Sequence, residues 1–183
     1  KVLKELEATP EDVNLLLLAC KCSFKGKDYK SLTSFAERLI ALDKDDADAY
    51  FYKGMAYQNS KGKEQEALKN FNESIAINPL ALKYLLHKAT THLLLYTDYH
   101  LPIKFAEKHQ AKAEETLMRI MTLGEQLENP SFEEYFILAE ANILISRNLE
   151  AKKYYMKAAK AFEAADELDK DKNIYKEIIK RQK

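Results

Sequence analysis

Residues 47–79 read ADAYFYKGMAYQNSKGKEQEALKNFNESIAINP. Apolar residues at helical spacing lie on either side of a turn near Lys61 and Gly62, so the stretch predicts two helices in a hairpin. Gly54 and Ala67 are small where the two antiparallel helices must approach closely, and Tyr57 and Phe71 fill the gap beside them. Pro79 stops the second helix, because proline lacks an N–H and clashes with the preceding turn. Such a hairpin cannot bury its apolar face alone. It implies stacked neighbours on both sides.

The spacing of Tyr50, Gly54, Tyr57, Ala67, Phe71 and Pro79 resembles the tetratricopeptide repeat (TPR) family, whose period is about 34 residues. A backward shift of 35 residues gives a second match. Leu15, Ala19, Cys22, Leu32 and Ala36 fall under Tyr50, Gly54, Tyr57, Ala67 and Phe71, and Lys44 replaces the proline. Thr9 is expected to cap this repeat, with Pro10 at the first helical position and Glu11 and Asp12 on the positive end of the dipole. Another match starts near Phe132, with Tyr135, Ala139, Ala151, Tyr155 and Ala158 in register and polar Asn142 where an aromatic is usual. Ser131 and Glu134 read as a capping box. Between these matches, Leu85, Ala89 and His92 fit a first helix, an insertion spans 95–102, and a longer partner helix presents Ala106, Ala113, Leu117, Ile120, Gly124 and Leu127 on one face.

The resemblance implies an all-α, TPR-like right-handed superhelical solenoid of about four helix-turn-helix hairpins plus a C-terminal capping helix, forming one domain over 1–183. Its segments are the end of a preceding helix (1–9), repeat 1 (10–46), repeat 2 (47–81), irregular repeat 3 (82–130), repeat 4 (131–168) and the cap (171–183). In the cap, Ile174, Ile178 and Ile179 share one side.

Bulk composition agrees. Only 4 Gly and 4 Pro in 183 residues favours long uninterrupted helices, and 46% hydrophobic residues can supply a core. The 29 basic and 29 acidic side chains cancel, which argues against a nucleic-acid surface. The longest apolar run, Leu15 to Cys20, is too short to insert in a membrane. The chain begins at Lys1 without Met, so a missing targeting segment carries little weight. Cys20 and Cys22 point apart on a helix and cannot easily bridge. Their usage leans towards a reducing, cytoplasmic compartment, with the periplasm open.

No catalytic, metal or cofactor constellation stands out. His87 and His92 are five apart and miss the i,i+4 spacing of a helical metal site. His100 and His109 read as partly buried or surface side chains, and the four glycines form no phosphate loop. The carboxylates are interleaved with lysines, as on solvated helix faces.

In TPR proteins the first helices line a concave face that binds a peptide or partner helix. The resemblance places Val13, Asp48, Lys83 and Glu133 at position 2 of that groove. Leu16, Phe51, Leu86 and Phe136 fall at position 5, Cys20, Met55, Thr90 and Glu140 at position 9, and Phe24, Asn59, Leu94 and Leu144 at position 13. The apolar position-5 row suggests an apolar or amphipathic ligand anchored by Phe51 and Phe136. Alternatively, these side chains complete packing between repeats or are covered by the chain's own tail. TPR domains that hold the acidic tails of Hsp70 or Hsp90 need a two-carboxylate clamp. Here the clamp positions carry Leu16, Cys20, Tyr52, Lys83 and His87, and only Lys83 fits, so that partner is disfavoured. The aromatics of the insertion, Tyr96 and Tyr99, mark a possible second surface. The expected function is non-enzymatic protein–protein recognition. The alternatives are self-assembly into a homo-oligomer, or an appendage that positions a separate catalytic domain.

Overall fold

The computed structural model describes residues 2–98, 100–149, 161 and 164. Among them there are eight helices and no strand. They are α1 (Val2–Ala8), α2 (Val13–Lys25), α3 (Tyr29–Leu42), α4 (Ala47–Gln58), α5 (Glu64–Ile77), α6 (Leu82–Tyr96), α7 (Ile103–Gly124) and α8 (Phe132–Leu149). The fold is an all-α, TPR-like helical repeat. The chain forms two compact units, 1–113 and 114–183, and the division falls within α7.

In the first unit α2 packs on α3 and α4 on α5, while α3 meets α4 and α5 meets α6. The first helices also touch in series, α2 with α4 and α4 with α6. The small residues of the repeat explain these contacts. A Cβ on Gly54 would come within 2.6 Å of the Phe71 ring, which is fully buried. Ala67 of the same repeat is buried as well, and so are Ala19, Leu32, Ala36 and Ala89, which align with Gly54, Ala67, Phe71 and Gly54 in the neighbouring repeats.

The α2–α3 turn is closed by Asp28 N–H donating to the Ser23 carbonyl and Lys27 N–H to the Phe24 carbonyl. This is the Schellman pattern, and it forces its penultimate residue into the left-handed region. Lys27 occupies that position at φ 57°, and Gly62, 35 residues on, has φ 75° in the α4–α5 turn. The two turns thus place a left-handed residue at equivalent positions, although their hydrogen bonds differ.

Two sequence expectations are corrected here. Asp12, not Thr9, caps α2: its carboxylate accepts from Leu15 N–H at 3.0 Å, and α2 begins at Val13. Thr9 instead closes α1, donating its hydroxyl to the Glu5 carbonyl at 3.1 Å. Pro10 lies in the intervening turn, where its carbonyl accepts from the Arg38 guanidinium of α3. The insertion is also shorter than 95–102. Helix α6 runs to Tyr96, with Leu95 buried, and α7 begins at Ile103.

In the second unit α8 starts with the expected capping box. Ser131 N–H donates to the Glu134 carboxylate at 2.7 Å and Glu134 N–H to the Ser131 hydroxyl at 3.3 Å. Gly124, the last residue of α7, lets Leu138 approach so closely that an added Cβ would lie 2.2 Å from Leu138 Cδ2. On α7, Leu117 and Ile120 are fully buried. Ala139 and Ile143 form a core cluster with Phe132, Phe136 and Ala161 against it. The second helix of repeat four and the cap at 171–183 fall outside the described residues, Ala161 and Ala164 apart.

Candidate functional site

The first-helix face of α2, α4 and α6 has a sealed floor and a more open rim. Leu16, Cys20, Phe51, Met55 and Leu86 are buried. Phe51 lies against the rings of Phe71, Tyr84 and His87 with centroid separations of 6.0, 5.1 and 5.3 Å. The position-5 row of this unit therefore serves packing between successive helices. The reason is aromatic size: Phe51 reaches past its own helix into the gap between α4, α5 and α6. Phe24 and Thr90 are half-buried, Asn59 is exposed, and Leu94 is 49% exposed. Asn59 is held at both ends of its amide. It accepts from the Tyr29 hydroxyl at 3.2 Å and donates to the Met55 carbonyl at 2.9 Å. In the second unit Phe136, Glu140 and Leu144 are half-buried, and burial raises the Glu140 carboxyl above its usual range.

Beneath the rim, Gln58 ties α4 to α6. Its amide nitrogen lies 2.9 Å from both the Thr90 and Thr91 hydroxyls and 3.1 Å from the His87 carbonyl. Its amide oxygen lies 3.0 Å from His87 Nδ1, which donates. Burial holds His87 neutral, with its pKa lowered to about 4. At the other end of the face, Asp48 accepts from Lys83 Nζ at 2.6 Å and from the Tyr84 hydroxyl at 2.7 Å. Burial alone would raise the Asp48 carboxyl, but the Lys83 and Tyr84 hydrogen bonds outweigh it and hold it below the usual range. The Lys83 ammonium also sits over the Phe51 and Tyr84 rings, at 5.4 and 5.1 Å. The one clamp-type cation of this face is thus already committed to a carboxylate.

Sequence reasoning passed over the pairing of two histidines. His92 Nδ1 of α6 and His109 Nδ1 of α7 are 2.7 Å apart, and both side chains are buried. The signal was present: His92 occupies the aromatic column of Tyr57, and His109 precedes Ala113 by one helical turn on the core-facing side of α7.

Burial pushes the Cys20 thiol up to about 12, which suppresses its thiolate, and Cys22 is exposed and unbridged. Among the described residues no three His, Cys, Asp or Glu side chains gather as a metal site. A mostly apolar cleft of about 330 Å³ lies in the second unit, lined by Met121, Gly124, Tyr135, Leu138 and Asn142 among others. Among the described residues, no helix is long and apolar enough to cross a membrane.

No protein-family model matches the chain, and neither does any curated protein. Solved structures do resemble it. A crystal structure of MamA superposes with a TM-score of 0.60 at 19% identity, covering 91% of this chain and 87% of that one. A second crystal structure of MamA protein gives 0.58 at 19% identity, covering 92% and 82%. At that identity the likeness concerns the fold, and it supports a TPR-like helical repeat.

Proposed function

We propose that the chain is a non-enzymatic protein-interaction module that holds an apolar or amphipathic segment on the face shared by α2, α4 and α6. The observation that carries this reading is the contrast across that face. The row Leu16, Phe51, Leu86 is sealed, while the row Phe24, Asn59, Leu94 leaves apolar surface and an anchored amide at the rim. A packed floor beneath a partly apolar rim with a few fixed polar groups is the usual form of a recognition groove. In the second unit Phe136, Glu140 and Leu144 repeat the same register. The fold likeness to MamA is in keeping with a scaffold role. An acidic chaperone tail fits poorly, because Lys83 would have to leave Asp48 to receive it.

The test is affinity capture with the intact chain beside a Phe24→Ala/Leu94→Asp variant of equal helicity. The variant is expected to lose the captured partner. An unchanged set of partners overturns the reading. Light scattering over a range of concentrations tests self-assembly: a mass that rises with concentration, and falls back in the variant, assigns this face to a second copy.

A further inference from the structure

We infer that the His92–His109 pair makes the α6–α7 hairpin an acid-sensitive joint, closed when both imidazoles are neutral and opened when they take up protons. The two rings face each other edge-on through their Nδ1 atoms, 2.7 Å apart, so one ring must donate and the other accept. A singly protonated pair can still share one hydrogen. A doubly protonated pair sets two N–H groups and two charges against each other at that distance, which closes off the hydrogen bond. His92 is 3% and His109 5% exposed, so water does little to solvate either charge.

The surroundings act in the same sense. Lys88 from α6 and Lys108 and Lys112 from α7 bring positive charge to bear on the rings. The His109 ring also lies tilted against Phe105, at 4.6 Å between centroids. Burial comes first, then neighbouring positive charge, and together they lower both imidazoles, His92 to about 4. The direction follows from linkage. An unfolded histidine protonates near pH 6.5, whereas this folded pair refuses the proton until well below it. The closed hairpin is therefore fully favoured above about pH 6.5, and its advantage is lost as pH falls towards 4. At pH 5 the opened state gains roughly 30-fold from His92 alone, and the lowered His109 adds in the same direction.

The position of the joint gives it a consequence. The same helix, α6, supplies Thr90 and Leu94 to the rim of the first-helix face, so acid loosens that rim from behind. This inference concerns the hairpin itself and stands whether or not that face binds a partner.

The experiment is amide hydrogen exchange on the full chain at pH 7.0 and pH 5.0, corrected for intrinsic exchange. Amides of 103–113 are expected to lose at least ten-fold more protection than those of 29–42. In a His92→Gln/His109→Gln variant, which keeps polar groups but cannot titrate, that excess should fall to under about three-fold. Equal acid sensitivity of the two segments in the wild type overturns the inference, as does an excess that persists in the variant. If the variant does not fold, imidazole carbon shifts of the wild type read the pair directly. Both rings titrating at or above pH 6.5 would sink it.

Discussion

At the scale of single residues, the recognisable letters of the repeat are contact letters. Gly54 is required by the Phe71 ring 2.6 Å from where its Cβ would stand, and Gly124 by Leu138 in the same way. Gly54→Leu should cost about 1–3 kcal/mol by overpacking, read as a lower urea midpoint with unchanged slope. Phe51→Ala should cost about 3–5 kcal/mol, because the ring is a packing residue; a loss of binding in that variant would report folding first. Lys27 sits where the Schellman turn wants glycine, and a left-handed backbone costs a side-chain-bearing residue about 1–2 kcal/mol. Lys27→Gly should therefore raise stability by about 1 kcal/mol, after glycine's extra unfolded entropy is set against the relief. The sequence showed Gly26 and concealed this, since Gly26 itself has an ordinary helical φ of −77°.

At the scale of elements, capping decided where helices begin. Asp12, Asp28 and Asp46 each accept from a backbone N–H three residues on, so the starts of α2, α3 and α4 share one device. Thr9 and Asp12 are both good caps, three residues apart. Spacing alone did not rank them: in the fold Asp12 N–H donates to the Thr9 carbonyl and Arg38 of α3 to the Pro10 carbonyl, and both bonds hold 9–12 as a turn. The box at Ser131 was legible because both of its partners are local. Ser131→Ala should cost about 1 kcal/mol and fray the first turn of α8, visible as faster amide exchange there. Helix α7, at 22 residues against 14 for α3 and α5, was readable as the long member of its hairpin from apolar spacing alone.

At the scale of the whole molecule, acid is the expected weakness. His87, His92 and His109 all have lowered pKa values, so the unfolded chain binds protons that the folded chain refuses. The urea midpoint should be highest above about pH 6.5 and fall as pH drops towards 4. A second loss should follow below the ordinary carboxylate range, where Asp48, depressed by Lys83 and Tyr84, is protonated at last. The sequence by itself determined an all-α repeat, the 35-residue step between its first two units, and the columns of small and aromatic packing residues. Each of these rests on helix periodicity and side-chain volume, which are local properties. Only the tertiary structure decided which apolar side chains of the first helices remain exposed. Phe51 and Leu94 both lie on first helices, yet neighbouring helices seal one and leave the other at the rim. The same holds for His92 and His109, whose meeting depends on how α6 and α7 dock rather than on either helix alone.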